Sequence, residues 1–404
     1  MLLKRESKFF IPISSIMLAL LTTMAPFATD TYLSAMPDMA EYFGVGIPLV
    51  EITLTIYFFA FALGNFFGGP LSDSFGRKKI ALTGLFLYSI SAAGIAAAPR
   101  IEYVWVLRAT QAFGGGFATV TSMVFVRDWF EGKQVARMAT IIGMIMMLAP
   151  LFAPVIGTFL LHLDGWQAIF IFLAVFGMAV FTSFYFVMPE SRDKSLITKK
   201  ISAKQFYEKY RLFFKNSQAV LVLIAIAFSI SGMFTFITGS SFMYIKYFGI
   251  EPALFPVLFG SNVVLNVILS LANTILLKRY EPEQLLRLGL FMQLIAGIVL
   301  LITVQFTTPS FWVVFGSVVL FIGSLGLVFG NGTAIILNIL PEISGPANAT
   351  IGVTRFILSS IAASVPVVFY TGTLAPIGTV MFLCTAIGNI TFYVFLKNKS
   401  KVSS

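Results

Sequence analysis

Three ionisable side chains stand inside long apolar stretches of this sequence: Asp30, Arg108 and Arg355. A charged group in the apolar part of a membrane costs about 2.5–3.5 kcal/mol on insertion scales, so such residues usually have a function. A carboxyl group in this setting can take up and release protons, because a low-dielectric surrounding favours its neutral form. A guanidinium keeps its charge and holds hydrogen-bond acceptors or anions. These residue types predict proton exchange combined with binding of a small molecule.

Asp30 is the only carboxylate that we place well inside an apolar stretch, and it belongs to a polar stripe at helical spacing. The stripe consists of Thr22, Thr23, Pro26, Thr29 and Asp30. We predict that Asp30 carries the proton and that Thr22, Thr23 and Pro26 line a substrate cavity. The alternative is a structural carboxylate, permanently paired or hydrated at the outer end of its helix.

Arg108 shares a predicted helix face with other polar and small residues, namely Gln111, Gly115, Thr119 and Ser122. Because a guanidinium does not release its proton here, we expect Arg108 to hold a hydrogen-bond network and to tune the protonation of a nearby acid. Gln111 is assigned to the substrate cavity. The alternative is a structural charge that anchors helix packing.

Arg355 has no acid in the apolar stretches of its own half of the chain. Its partner can be the first half, backbone carbonyls, cavity water or an anionic group of a substrate, and a structural and a substrate-facing role are both open. Neutral polar residues in the same half are candidates for substrate hydrogen bonds, although most of these residues are expected to be helix-packing contacts. The substrate cavity is assigned Asn262, Asn266, Asn331 and Arg355.

The composition places these residues in a membrane. Hydrophobic residues make up 58% of the 404 positions and charged residues 11%, which excludes an ordinary water-soluble protein. A helix crosses a membrane with about 20 apolar residues. We therefore predict an all-α membrane protein with twelve transmembrane helices in two six-helix bundles. The predicted spans are 9–35, 48–69, 79–98, 102–126, 135–162, 167–188, 218–244, 253–277, 284–304, 310–334, 347–370 and 374–396.

The basic residues predict the orientation. Of the 27 Lys and Arg residues, all except Arg100, Arg108, Lys246 and Arg355 fall on the amino tail, the carboxyl tail or loops on one side. This asymmetry is typical of cytoplasmic segments, so both termini are predicted to be cytoplasmic. The net charge of +10 is explained by this orientation. Nucleic-acid binding is not predicted.

One long polar segment divides the chain. Residues 190–217 carry eight basic residues in an amphipathic pattern, which predicts an interfacial helix on the inner leaflet. A regulatory or partner-binding role is the alternative. The predicted domains are an N-terminal bundle at 1–189, this linker, and a C-terminal bundle at 218–404. A substrate site is expected near the membrane midplane between the two bundles.

The loop at 69–79 reads Gly-Pro-Leu-Ser-Asp-Ser-Phe-Gly-Arg-Lys-Lys. It resembles the loop between the second and third helices of major facilitator superfamily transporters. The resemblance implies a gating role for Gly69, Asp73, Gly76, Arg77 and Asp128. Asp73 would lie against the amino end of the eleventh helix, whose dipole favours an acid, and Arg77 would pair with Asp128.

Further motifs resemble one branch of that superfamily, the drug:proton antiporters with twelve spans and specifically the Bcr/CflA type. Residues 149–157 resemble the antiporter motif, with Pro150, Pro154 and Gly157 in place. The run from Asp30 to Pro37, which contains Tyr32, and Thr-Arg-Phe at 354–356 resemble the branch itself. A further resemblance is to the fourth-helix motif that the family links to proton coupling. It rests on Leu107, Arg108, Gln111 and Gly114. Tyr32 is accordingly assigned to the substrate cavity.

Two departures from the family pattern bear on substrate and direction. The antiporter motif usually has glycines where this chain has Ala149, Ala153 and Thr158, which weakens but keeps the inference of export. Some relatives carry a second acid about two turns before Asp30, where this chain has Thr22 and Thr23. We therefore hypothesise a preference for neutral, zwitterionic or anionic substrates.

Other chemistry finds little support. The sequence has no Gly-x-x-x-x-Gly-Lys-Ser/Thr loop for ATP, and His162 and Cys384 are its only His and Cys. We expect no metal, no cofactor and no enzymatic activity. The sequence predicts a monomeric multidrug exporter of the bacterial inner membrane that exchanges protons for small organic molecules. The alternatives are a proton-coupled exporter or importer of a specific metabolite, such as an amino acid or siderophore, and a membrane-embedded enzyme or channel.

Overall fold

The computed structural model describes residues 9–130, 133–192 and 211–403, and the regular structure in these ranges is helical. The chain separates into two compact units, residues 1–202 and 203–404. The linker helix predicted within 190–217 falls largely on 193–210, which lie outside the described residues.

The described part of the first unit contains six helices. Long apolar stretches explain their length, since each except the short second helix has at least the roughly 20 residues that a membrane span requires. The helices are α1 (Phe10–Asp30), α2 (Met36–Phe43), α3 (Ile47–Phe75), α4 (Arg77–Ala96), α5 (Ile101–Trp129) and α6 (Lys133–Val187). A 3₁₀ turn at Leu33–Ala35 joins α1 to α2.

Helix α6 holds a break that the sequence analysis expected between two spans. Asp164 and Gly165 leave the helical region, and Gly165 has a φ of 69°, which a residue with a side chain rarely adopts. The 55 residues of α6 therefore consist of two helical segments that meet at this turn. This position agrees with the predicted spans 135–162 and 167–188.

Seven helices lie in residues 211–403, the described part of the second unit. They are α7 (Ser217–Ser241), α8 (Phe255–Leu276), α9 (Pro282–Thr303), α10 (Phe311–Gly323), α11 (Leu325–Ile339), α12 (Ser344–Val368) and α13 (Ala375–Ser403). A π-helical turn at Phe242–Tyr247 extends α7. The buried core of this unit is apolar and includes Leu286, Leu290, Val328 and Phe392.

Ten stretches of the described residues are long and apolar enough to cross a membrane. One of them, Ile141–Val187, contains the break at Asp164 and Gly165. Helix α5 is 29 residues long but is not among the ten; it carries charged residues, including Arg108 in its third turn.

Helices α4 and α5 approach each other through glycines. A Cβ on Gly84 would lie 2.5 Å from the carbonyl oxygen of Gly114, and a Cβ on Gly114 would lie 2.5 Å from that of Gly84. Since no side chain fits at this distance, the two glycines allow the backbones to touch. The contact fixes α5, and thereby Arg108, relative to the rest of the first unit.

Candidate functional site

Asp30 is the last residue of α1 and is 3% exposed. The hydroxyl of Thr29 donates a hydrogen bond of 2.7 Å to Asp30 Oδ1. Within the described residues no cation forms an ion pair with this carboxyl group. It is therefore a buried acid whose charge is not neutralised by a fixed partner, the condition that a proton carrier requires.

The other members of the predicted stripe are buried, but their hydroxyls bond within α1. Thr22 donates to the carbonyl of Ala19 at 2.7 Å, and Thr23 donates to that of Leu20 at 2.9 Å. Pro26 interrupts the same helix. The placement of these residues in a substrate cavity stays a prediction, as it does for the remaining assigned site residues.

Arg108 is fully buried in α5 and is held between two tyrosine rings. Its guanidinium carbon lies 4.6 Å from the ring centre of Tyr32 and 4.5 Å from that of Tyr57. Its Nη1 donates to the carbonyl of Ala28 at 3.0 Å and to Gln111 Oε1 at 2.8 Å. Desolvated cation–π contacts of this kind are worth about 2 kcal/mol.

The Arg108 cluster is linked to the end of α1 that carries Asp30. Arg108 Nη1 donates to the carbonyl of Ala28, two residues before Asp30. Arg108 Nε and Nη2 have no hydrogen-bond partner in the described part of the chain. A permanent cation and two tyrosine rings therefore lie near the end of α1 that carries the buried acid, whereas the proton-coupling roles of Asp30 and Arg108 stay predictions.

The rest of the predicted polar face of α5 also meets α1. Thr119 donates to the carbonyl of Leu21 at 3.3 Å, and Ser122 donates to that of Leu18 at 2.8 Å. These bonds satisfy hydroxyls that would otherwise be buried without partners. They position α5 against α1 and so fix Arg108 relative to the end of α1 that carries Asp30.

Glu51 corrects the expectation that Asp30 is the only carboxylate inside an apolar stretch. Glu51 stands in the second turn of α3, is 4% exposed, and has an Oε1 atom without a hydrogen-bond partner. Two residues further along the same helix, Thr53 shares a hydrogen bond of 2.8 Å with the hydroxyl of Tyr32. The sequence signal was present, since Glu51 is the fourth residue of a predicted span, but nothing local showed that neighbouring elements bury it.

Arg355 lies on α12 and is partly buried. Its guanidinium carbon lies 4.9 Å from the ring centre of Phe329 and 4.7 Å from that of Phe356. Its Nε has no hydrogen-bond partner, and no ion pair reaches it among the described residues. This agrees with the absence of acids from the apolar stretches of its own half of the sequence, and the role of Arg355 stays a prediction.

The predicted cavity asparagines make contacts within the second unit. Asn266 donates to the carbonyl of Ile322 at 3.1 Å and so joins α8 to α10. Asn331 donates to Asn273 Oδ1 at 2.7 Å and joins α11 to α8. Asn262 is buried with a free Oδ1. Helix packing thus accounts for Asn266 and Asn331, whereas Asn262 keeps an unused acceptor.

The pairing of Arg77 with Asp128 occurs as the family resemblance implied. Arg77 Nε lies 3.2 Å from Asp128 Oδ2, and Arg77 also forms an ion pair with Asp73. Gly76, just before it, has a φ of 98°, so a residue with a side chain would be strained there. A Cβ on Gly69 would meet no atom within 4 Å, so packing does not require that glycine.

Two residues that the sequence analysis did not single out complete this network. Glu190 accepts the backbone N–H groups of Arg77 and Lys78, both at 3.0 Å, and so caps the amino end of α4. Arg192 Nη1 lies 3.0 Å from Asp73 Oδ1. A carboxylate at a helix amino end is favoured by the free N–H groups and the helix dipole.

The antiporter-motif residues lie on α6, where the helix passes the end of α1. A Cβ on Gly157 would lie 1.6 Å from the carbonyl oxygen of Thr31, so only glycine fits. Next to it, Thr158 donates to Ser34 Oγ at 3.1 Å. Pro150 and Pro154 lie inside the same helix. The motif therefore packs α6 directly against the chain that follows Asp30.

Comparison with known proteins agrees with this architecture. A sequence profile of the Major Facilitator Superfamily matches residues 18–364. The chain is 30% identical to a bicyclomycin resistance protein homolog of Haemophilus influenzae over 95% of this chain and 96% of the relative. It is 23% identical to multidrug resistance protein MdtL of Escherichia coli O157:H7, over 84% of this chain and 85% of that protein.

Among solved structures, a bacterial homolog of the human lysosomal transporter Spinster superposes with a TM-score of 0.78 at 13% identity. The match covers 97% of this chain and 98% of that chain, and it shows the shared fold. The profile, the near-complete coverage of the relatives and the common fold agree with the helical architecture described above. The chain thus belongs to the Major Facilitator Superfamily, in the Bcr/CflA-type group of drug:proton antiporters, and is a multi-pass protein of the bacterial inner membrane.

Proposed function

We propose that this protein exports small organic molecules in exchange for protons, by alternating access. The observation that carries the proposal is the buried carboxyl group of Asp30, which has no ion-pair partner among the described residues and lies beside the Arg108 cluster. The similarity to a bicyclomycin resistance protein homolog supports efflux of drug-like compounds rather than uptake. Protonation of Asp30 from outside would release the substrate, and deprotonation toward the inside would allow the next molecule to bind.

The proposal includes twelve spans with both termini in the cytoplasm. The ten apolar stretches give twelve when Ile141–Val187 is divided at its break and α5 is added. The proposed domains are the bundles at 1–189 and 218–404 with the linker between them, acting as a monomer. The basic residues on one side of the predicted spans support this orientation.

The first test measures protons directly. Purified protein in detergent and weak buffer receives bicyclomycin or chloramphenicol, and the pH is recorded. We expect wild-type protein to release protons on binding, and Asp30→Asn to bind without proton release. Glu102→Gln, in which the altered acid forms an exposed ion pair with Arg100, is the matched control and should behave as wild type.

A second experiment tests the direction and the energy source. Inverted membrane vesicles should accumulate the compound when the interior is acidified, and a protonophore should abolish the accumulation. Accumulation that survives the protonophore, or movement only down the gradient of the compound, would contradict antiport. The metabolite alternative predicts accumulation of a single amino acid or siderophore and of no drug.

A further inference from the structure

Arg355 and Arg108 are held by aromatic rings in the same manner but differ in their hydrogen bonds. Each guanidinium carbon lies within 5 Å of two ring centres, as the distances above show. Arg108 donates to a backbone carbonyl and to Gln111. Arg355 donates to no acceptor and pairs with no acid in the part of the chain that the structure describes. The rings account for holding the cation, but they leave its N–H groups unused.

The described part of the second unit supplies no ion-pair partner for this charge. The acids of the unit are Glu208, Glu251, Glu281, Glu283 and Glu342, all outside the predicted apolar stretches. Glu283 pairs with Lys399 near the end of α13, and Glu281 caps α9. An uncompensated cation among apolar helices is costly, and such residues typically face the bundle interior or a water-filled cavity and mark substrate or ion pathways.

The shape of the group defines the chemistry of that anion. The N–H groups of a guanidinium lie in one plane and form a fork that matches the two oxygens of a carboxylate. Phe329 and Phe356 contact Arg355, and Phe234 packs against Phe356 with ring centres 5.4 Å apart and ring planes tilted by 52°. The Arg355 guanidinium, a planar charged donor, therefore lies beside a cluster of three aromatic rings. A carboxylate attached to an apolar or aromatic body is complementary to both.

We propose that Arg355 binds the carboxylate of an organic acid or zwitterion whose apolar body rests on Phe329, Phe356 and Phe234. This inference rests on the proposed export function and names the substrate class for it. Neutral compounds can bind the aromatic surface alone, and they gain nothing from the guanidinium. Lipophilic monocations are disfavoured, because the nearest fixed charge has their own sign.

The test uses one apolar body with three head groups: biphenyl-4-acetate, its methyl ester, and biphenyl-4-ylmethyl-trimethylammonium. Binding to the purified full-length protein in detergent is measured by calorimetry. We expect the carboxylate to bind at least tenfold more tightly than the ester, and the ammonium compound to bind more weakly than the ester. Equal or tighter binding of the ester or the ammonium compound would overturn the proposal, and this comparison requires no mutant.

Variants then assign the effect to the residue. Arg355→Gln should lower the affinity for the carboxylate at least tenfold and change that for the ester less than twofold. Arg355→Lys keeps the charge but loses the planar fork, so its affinity for the carboxylate should lie between those of the wild-type protein and Arg355→Gln. Arg100→Gln removes an exposed arginine and should change neither affinity. If Arg355→Gln does not fold, the lysine variant carries the test; an unchanged carboxylate affinity in a folded variant would refute the assignment.

The two proposals fail in different ways. Carboxylate preference without proton-driven accumulation in vesicles would refute export by antiport and leave the anion site intact. Proton-driven accumulation of bicyclomycin or chloramphenicol with no carboxylate preference would refute only the anion site.

Discussion

Arg77 Nε on α4 lies 3.2 Å from Asp128 Oδ2 on α5, although 51 residues separate them in the chain. Arg77 is almost fully buried, and it also bonds Ser72 Oγ at 2.9 Å and pairs with Asp73. One guanidinium therefore joins the end of α3, the start of α4 and the end of α5. The basic triplet that opens α4 has a structural function in addition to its influence on topology.

Replacement of Arg77 should loosen this junction. Arg77→Gln leaves Asp73 and Asp128 without their shared partner, and we expect a loss of about 1–2 kcal/mol, kept small because Asp73 is partly exposed. The melting temperature in detergent should fall by about 2–6 °C. Arg77→Lys should lose less, since it keeps the charge but not the fork.

The control for Arg77 is Arg100→Gln, because the ion pair of Arg100 with Glu102 is exposed on both sides. It should leave the melting temperature unchanged. Equal effects of the two substitutions would show that the Arg77 network does not stabilise the fold.

Gly157 should tolerate no side chain. Its missing Cβ would lie 1.6 Å from the carbonyl oxygen of Thr31, so Gly157→Ala must push α6 away from the segment that follows Asp30. Overpacking of this kind costs about 1–3 kcal/mol. We expect a lower melting temperature and reduced proton-coupled transport.

Gly143 provides the matched control on the same helix. A Cβ there meets no atom within 4 Å, so Gly143→Ala should be neutral or slightly stabilising. A melting temperature that falls equally in both variants would mean that helix α6 does not pack against Thr31 as described.

Tyr57 should matter to Arg108 through its ring and not through its hydroxyl. The Tyr57 hydroxyl has no hydrogen-bond partner among the described residues, whereas the ring centre lies 4.5 Å from the guanidinium carbon. Tyr57→Phe should therefore preserve stability and transport. Tyr57→Leu should cost about 0.5–2 kcal/mol, the range of a cation–π contact.

Melting temperature and substrate-driven proton release are measured for both Tyr57 variants. Tyr32→Phe serves as the second reference, since it keeps a ring against Arg108 but removes the hydrogen bond to Thr53. If Tyr57→Phe were as damaging as Tyr57→Leu, the hydroxyl rather than the ring would be the important group.

The protein should be at least as stable when an apolar residue of similar volume replaces Glu51. Its carboxyl group is buried with Oε1 unbonded among the described residues, and a buried polar atom without a hydrogen-bond partner costs about 1–3 kcal/mol, which an apolar side chain of similar volume avoids. We expect Glu51→Met to keep or raise the melting temperature, and Glu51→Lys to lower it. A strongly destabilised Glu51→Met would show that the carboxyl group has a bonded partner in the folded protein.

The sequence by itself determined the membrane class, the predicted spans and the two charged centres Asp30 and Arg108. This was possible because the cost of a charge in an apolar stretch is a local property, visible in the residues around it. The resemblance to the superfamily likewise rested on short contiguous motifs, and it correctly anticipated the pairing of Arg77 with Asp128.

The tertiary structure decided what surrounds each charge. Tyr57 reaches Arg108 from another helix, Glu190 caps α4 from 113 residues away, and Phe329 reaches Arg355 from α11. The burial of Glu51 likewise depends on neighbouring elements. Spacing along one helix defines which side chains share a face, but the residues opposite that face follow from helix packing, which glycines such as Gly84 and Gly157 control by close backbone contact.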